Sequence, residues 1–324
     1  MKPLVVITGP TAVGKTELSI KIAKAIDGEI ISADSIQVYK HMDIGSAKIT
    51  KEEMQGIKHY LVDEFEPDEE FNVHVFKEKT LEYMDKIYEA GKIPIIVGGT
   101  GFYIQSVLYD IQFNDEEIDS AYRKELENIA KEKGNDYLHN MLKEVDEESA
   151  LNIHKNNLKR VIRALEFYKN TGEKISTHNE EQSQNISPYN FVYFVLNDKR
   201  ELLYERINKR VDIMFDDGLI DEMQLLTQIG ISRDNTSMQG IGYKEILDYW
   251  DNLGEPYGST IDENGIALLK EQIKGDTRHF AKRQLTWFRR EKVIDWININ
   301  EYDYDCVKIM DYMLDKLKDS GIIK

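Results

Sequence analysis

Eight consecutive residues near the start of the chain, Gly9-Pro10-Thr11-Ala12-Val13-Gly14-Lys15-Thr16, have the spacing of a phosphate cradle. Gly9 and Gly14 let the backbone turn so that its N–H groups converge on an anion. Lys15 supplies a point charge, and the Thr16 hydroxyl can ligate Mg²⁺. The pattern suits a di- or triphosphate, ATP included, and does not say which. A carboxylate follows in Ser32-Ala33-Asp34-Ser35-Ile36-Gln37. Asp34 can serve as a general base or Mg²⁺ partner, or it can shape the chain through an Asx turn. The third chemical candidate is Gly98-Gly99-Thr100-Gly101, where Thr100 offers a hydroxyl. Three glycines in four residues also suit a turn packed closely against another element. A kinase or GTPase would carry an acidic Walker-B residue at such a strand end. Glycine and threonine stand there instead, which counts against nucleotide hydrolysis and points to phosphates of another molecule.

Cations form a second group. Residues 278–292 hold six Lys or Arg against one Glu, in a chain whose formal net charge is −17. At helical spacing Arg278, Lys282 and Arg289 lie beside a face carrying Phe280, Trp287 and Phe288. Such a helix can give one arginine to a leaving phosphate and others, Arg283 among them, to an RNA backbone. The plainer reading is a solvated basic face. Asn157, Arg160 and Arg163 make a shorter cluster of the same kind. Lys48 in Gly45-Ser46-Ala47-Lys48 is a weaker candidate, because a loop lysine is usually solvated. The acidic balance argues against nucleic acid taken alone, but the acids cluster at 63–70 and 114–119 and leave the basic strips intact.

The elements that must position these groups read as follows. Residues 4–8 form a short apolar run ending in glycine, a buried parallel strand. Residues 15–26 follow as an amphipathic helix with Leu18, Ile22, Ala23 and Ile26 on one face. Strands are expected at 29–32 and 93–97, with Pro94 tolerated near a strand start, and a helix at 73–90 closed by Gly91. Alternating strands and helices imply an α/β fold with a P-loop NTPase-like parallel sheet. After residue 112 the pattern turns helical until a strand at 191–196. A mainly helical insertion, 113–188, is therefore set into a core made of 1–112 and 189–324. The stretch 179–185 reads as a loop returning from it, and 277–290 as one helix. The single cysteine, Cys306, excludes an internal disulfide framework and fits a reducing, cytoplasmic setting. No apolar run is long enough to span a bilayer.

Nine segments, in order, resemble the tRNA dimethylallyltransferases, also called tRNA isopentenyltransferases: GPTAVGKT (9–16), DSIQVY (34–39), GSAK (45–48), HYLVD (59–63), GGTGFY (98–103), NNLKRVIRALE (156–166), RVDIMFDDGLIDE (210–222), QGIGYKE (239–245) and TRHFAKRQLTWFR (277–289). Ser46 and Ile49 stand where that family usually has threonine and proline. Tyr60 replaces a second histidine, and Gly240 stands where alanine is frequent. The resemblance implies transfer of a dimethylallyl group from dimethylallyl diphosphate to the N6 amine of the adenosine 3′ of the anticodon, position 37. The tRNAs would be those reading codons that begin with U. It implies Mg²⁺ as cofactor and an insertion that grips the anticodon stem-loop. By motif, Asp34 would be the base, Thr100 would help hold the amine, and Lys15, Thr16 and Arg278 would bind diphosphate. Ser35, Ile36 and Gln37 would contact tRNA with Arg160, Arg163, Lys282 and Arg283, and Arg123 is a further contact. A monomer is expected. The rivals are a small-molecule or nucleotide kinase on the same core and a non-catalytic P-loop switch or RNA-binding module.

Overall fold

The structure is a computed structural model and describes residues 1–113 and 120–324. The acidic run at 114–119 lies outside the described residues. The chain divides into two compact units, one formed by Met1–Leu108 with Pro188–Lys324 and the other by Tyr109–Ser187.

The first unit is built on six parallel strands: β1 (Lys2–Thr8), β2 (Gly28–Ala33), β3 (His59–Tyr60), β4 (Ile93–Gly98), β5 (Tyr189–Asn197) and β6 (Asp295–Asn298). Their order across the sheet is β3-β2-β4-β1-β5-β6. Leu4, Val5, Val6 and Ile7 are all fully buried. Successive side chains of a strand point to opposite faces, so both faces of the sheet are covered. Each such side chain contributes roughly 1.5–3 kcal/mol of burial free energy. The helices of this unit are α1 (Lys15–Ile26), α2 (Val73–Glu89) and α3 (Gly101–Leu108) before the second unit. The second unit has α4 (Ser120–Lys133), α5 (Asn135–Val145), α6 (Glu147–Asn152), α7 (Leu158–Thr171) and α8 (Ile175–Ser183). The first unit then resumes with α9 (Arg200–Asp216), α10 (Leu219–Gln228), α11 (Tyr243–Leu253), α12 (Glu263–Phe288) and α13 (Cys306–Asp319). Leu18 and Ile22 of α1, Ile207 of α9, Ala281 of α12 and Met313 of α13 share one core with Val5, Ile95 and Phe194 of the sheet.

Register sets the site. Thr8 pairs with Gly98, and Gly98 with Ala33. Thr8 Oγ1 also donates to the Gly98 carbonyl at 2.6 Å. The residues that follow, Gly9, Asp34 and Gly99, therefore leave the sheet side by side at its carboxyl edge, where α/β proteins bind ligands.

The second unit packs α4, α5 and α7 around Leu126, Leu138, Leu142, Val161 and Leu165. Asp146 accepts from the backbone and hydroxyl of both Ser149 and Ser176, pinning α6 to α8. Burial raises the Asp146 carboxyl, but these hydrogen bonds outweigh it and hold the group below its ordinary value.

Three local expectations need correction. Strands β3 and β6 span two and four residues, too short for alternation to register. Residues 179–183 are helical rather than loop. α8 buries none of its side chains, so no apolar stripe announces it, while Glu180, Glu181 and Gln182 favour helix. α12 ends at Phe288, so Arg289 and Arg290 sit in the turn beyond it. Among the described residues no helix is long and apolar enough to cross a membrane.

Candidate active site

The cradle follows β1 and opens α1. Gly14 caps the helix in a left-handed conformation, φ 99°. A Cβ on Gly9 would lie 2.5 Å from the Leu196 carbonyl, so side chains are excluded at both ends of the loop. The loop is held from outside by two side chains. Arg206 of α9 donates through Nε to the Ala12 carbonyl at 3.1 Å, and its Nη2 pairs with the buried Asp198 carboxylate. Gln284 of α12, 6% exposed, accepts from Thr11 N–H at 2.9 Å and donates to the Gly99 carbonyl at 3.1 Å. One amide thus ties the cradle to the glycine turn. Gly99 and Gly101 are needed for that approach: a Cβ would meet Gln284 Nε2 at 2.1 Å and Trp287 Cδ1 at 2.2 Å respectively. Two glycines of this turn therefore serve the seating of α12, in line with the packing alternative.

Lys15 and Thr16 face a recess that also takes in Asp34 and Gln37. Apolar side chains of Ile30, Ile49, Val62 and Val97 also line it, together with His59, Ser19 and Ser32. The Lys15 ammonium donates to the Gly9 and Pro10 carbonyls at 3.0 and 2.9 Å. Burial above all, then repulsion from Arg210, lowers it to about 8, while Asp34 pulls the other way. Arg210, on α9, is itself lowered by burial and partly restored by Asp34. Lys15, Asp34 and Arg210 thus form one electrostatic cluster, with Arg210 just outside the residues that line the recess.

Both readings of Asp34 hold together. Its Oδ1 accepts from Ile36 N–H at 2.9 Å and Gln37 N–H at 3.2 Å, an Asx turn. Its Oδ2 accepts no hydrogen bond among the described residues and lies on a side chain that lines the recess. Thr100 is brought next to it, since Thr100 N–H donates to the carbonyl of Ala33 at 3.2 Å. Ser35 and Ile36 are half-buried in the same turn. The Gln37 amide donates to the Ser46 and Ala47 carbonyls at 3.3 and 3.1 Å, which fixes the loop beside the recess.

For Mg²⁺, the donor set suits a hard cation. Thr16, whose hydroxyl can ligate the ion, lines the recess, and the remaining ligands would be water and phosphate oxygens. Among the described residues no group of three or more His, Cys, Asp or Glu is placed to hold a metal by itself.

Other expected residues are placed differently. Lys48 is not solvated: its ammonium is buried on the Tyr39 carbonyl at 2.6 Å, Asp43 at 2.5 Å and Asp63 at 2.9 Å. Arg278 does not line the recess. Its Nη1 donates to Asn208 of α9 at 2.5 Å, and six residues of helix, about 9 Å, separate it from Gln284. Lys282 and Arg283 are exposed, Arg283 lying over the Phe280 ring at 5.7 Å. In the second unit Arg123 makes a bidentate pair with Glu166, 2.8 and 2.6 Å, and Glu166 is 4% exposed. A buried carboxylate needs that partner, and the pair ties α4 to α7. Arg160 and Arg163 are exposed, one turn apart on α7.

Sequence reasoning passed over Arg206, Arg210, Gln284 and Glu222. Arg206 and Arg210 are four apart on one helix, a spacing that could have been read as a shared face. Nothing local marks Gln284 or Glu222, whose partners lie far along the chain.

Residues 37–291 match the family model described as IPP transferase. The chain is 56% identical over 324 residues, all of both chains, to the tRNA dimethylallyltransferase of Lachnoclostridium phytofermentans. It is 52% identical over 316 residues to that of Acetivibrio thermocellus, covering 97% of this chain and 98% of the relative. Among solved structures, the tRNA isopentenylpyrophosphate transferase of Bacillus halodurans is 41% identical with a TM-score of 0.71, covering 99% of this chain and 98% of that one. A eukaryotic dimethylallyltransferase captured acting on tRNA is 30% identical with a TM-score of 0.76, covering 92% and 74%.

Proposed function

The chain belongs to the IPP transferase family, an enzyme family that modifies tRNA, and we propose that it prenylates adenosine 37. The donor is dimethylallyl diphosphate, and the acceptor is the N6 amine of the adenosine 3′ of the anticodon in tRNAs reading codons that begin with U. The observation that carries the reading is the recess itself, which joins Lys15 and Thr16 of the phosphate cradle, four apolar side chains and a carboxylate oxygen left open by its turn.

The chemistry follows from those parts. An adenine N6 lone pair is delocalised into the ring, so the amine is a weak nucleophile and needs a good leaving group. The cradle N–H groups, Lys15 and Arg210 stabilise the charge that builds on diphosphate as the allylic C1–O bond breaks. Mg²⁺, held by Thr16, would add Lewis-acid stabilisation to the same oxygens. The N6–C1 bond forms, and Asp34 Oδ2 takes the N6 proton. Thr100 holds the amine. The apolar side chains of Ile30, Ile49, Val62 and Val97 suit the dimethylallyl group. The adenine must leave the stacked loop to reach this position, at a cost of a few kcal/mol. Arg160 and Arg163 suit the anticodon stem-loop phosphates, with Lys282 and Arg283 as further cations.

Purified enzyme with Mg²⁺, unmodified tRNA and labelled dimethylallyl diphosphate should place label in RNA, recovered after digestion as N6-substituted adenosine. Label absent from RNA, with ATP consumed in a parallel reaction, would contradict the proposal and favour a kinase.

A further inference from the structure

One buried carboxylate outside the recess gathers four hydrogen bonds. Glu222 of α10 is 8% exposed. Its Oε2 accepts from the N–H groups of Asp43 and Ile44, each at 2.7 Å. Its Oε1 accepts from Gly45 N–H at 3.0 Å and the Tyr243 hydroxyl at 2.8 Å. Those bonds fill the acceptor capacity of an ionised carboxylate. Three donors are successive backbone groups, so residues 43–45 wrap Glu222 as a nest wraps an anion. Gly45 is required there, since a Cβ would lie 2.6 Å from the Tyr243 ring. Burial and the charge of Glu222 push the Tyr243 phenol well above its ordinary value, which keeps it a donor.

The next residue links this nest to the recess. The Ser46 carbonyl accepts from Arg210 Nη2 at 3.2 Å and from Gln37 Nε2 at 3.3 Å. The Ser46 hydroxyl closes the turn on the Met42 carbonyl at 2.6 Å, a bond any residue with a β-hydroxyl can supply. Among the described residues, that carbonyl is the one hydrogen-bond acceptor of Arg210. A long guanidinium side chain has many rotamers, and a single well-placed acceptor selects among them.

We propose that Glu222 is a positioning residue of the transfer reaction: it folds residues 43–46 so that the Ser46 carbonyl aims Arg210 at the donor diphosphate. This rests on the reading of Arg210 as a ligand of the leaving group. An amide in place of the carboxylate would turn an NH₂ toward backbone N–H groups and lose at least one of the bonds that shape the loop.

The test is a double-mutant cycle read on kcat and on the KM values of donor and tRNA separately. Arg210→Ala should lower kcat about 100-fold. Glu222→Gln alone should lower kcat by about tenfold to 100-fold and raise the donor KM, with the tRNA KM unchanged. In the Arg210→Ala background Glu222→Gln should have almost no further effect on kcat. Tyr243→Phe, which removes one of the four bonds, should show the same pattern more weakly and serves if Glu222→Gln does not fold. Equal losses from Glu222→Gln or Tyr243→Phe with and without Arg210 would overturn the positioning role while leaving Arg210 in place. A rise in the tRNA KM matching that of the donor would mean general loosening and overturns it too. An Arg210→Ala enzyme with unchanged kcat would remove Arg210 from the leaving-group site, and the Glu222 proposal with it.

Discussion

Lys15 carries its charge against opposing neighbours. Burial and Arg210 lower its ammonium to about 8, and Asp34 resists the shift. A bound diphosphate adds negative charge beside the ammonium and must raise that value. Donor binding then takes up protons near pH 8, and free enzyme above pH 8 must first be protonated to bind well. Calorimetry in buffers of different ionisation enthalpy should detect uptake approaching one proton per donor between pH 8 and 9. Donor affinity should fall toward about tenfold per pH unit beyond that range. Binding with no proton uptake there would mean that Lys15 does not meet the diphosphate. Asp34 divides its work by atom. Because Oδ1 maintains the Asx turn and Oδ2 is open, alanine would remove both functions. Asparagine can keep the turn through its amide oxygen and lose only the base.

At the scale of elements, α12 works as a brace. Gln284 joins the cradle to the glycine turn, and Trp287 packs on Gly101. Gln284→Ala leaves a part-buried N–H and a part-buried carbonyl without this partner, so urea unfolding should show a loss of about 1 kcal/mol. The donor KM should rise as well, because Thr11 is no longer held. An unchanged midpoint and an unchanged KM would show that the brace is dispensable. Sequence reading reached the strands that carry chemistry because each is a continuous apolar run followed by a distinctive turn. It missed β6 because Asp295-Trp296-Ile297-Asn298 is too short to show a period, and the second half of α8 because the helix has no apolar face. It singled out Asp34, Thr100 and Lys15 because local motifs mark them, and Lys15 and Asp34 line the recess. Arg210, Gln284 and Glu222 stayed hidden because their meaning depends on partners well over a hundred residues away. Lys48 is buried rather than solvated because the fold brings Tyr39, Asp43 and Asp63 around it, and the Glu166 partner of Arg123 is likewise supplied only by the folded chain.

For the whole molecule, a chain of net charge −17 has to bind a polyanion. Localised cations do this only where their charge is not already neutralised within the protein. Arg160 and Arg163 are exposed without an ion-pair partner among the described residues, whereas Arg123 is tied to Glu166. Substituting Arg160 and Arg163 by alanine should weaken tRNA binding and reduce its dependence on log salt by about one unit for each arginine that had met a phosphate. Arg123→Met with Glu166→Leu should leave tRNA affinity near wild type, because the pair is removed as a unit. A weaker affinity in that double variant, with the salt slope reduced, would return Arg123 to the RNA. Catalysis requires donor, tRNA and base together. The most direct test is therefore single-turnover transfer from labelled dimethylallyl diphosphate to unmodified tRNA by Asp34→Asn, with donor affinity measured on the same protein. If Asp34 is the base, the transfer rate falls at least about 100-fold while donor affinity stays within about threefold, roughly 0.6 kcal/mol. An Asp34→Asn enzyme that transfers the label at the wild-type rate would contradict that role, and with it the mechanism built on this recess.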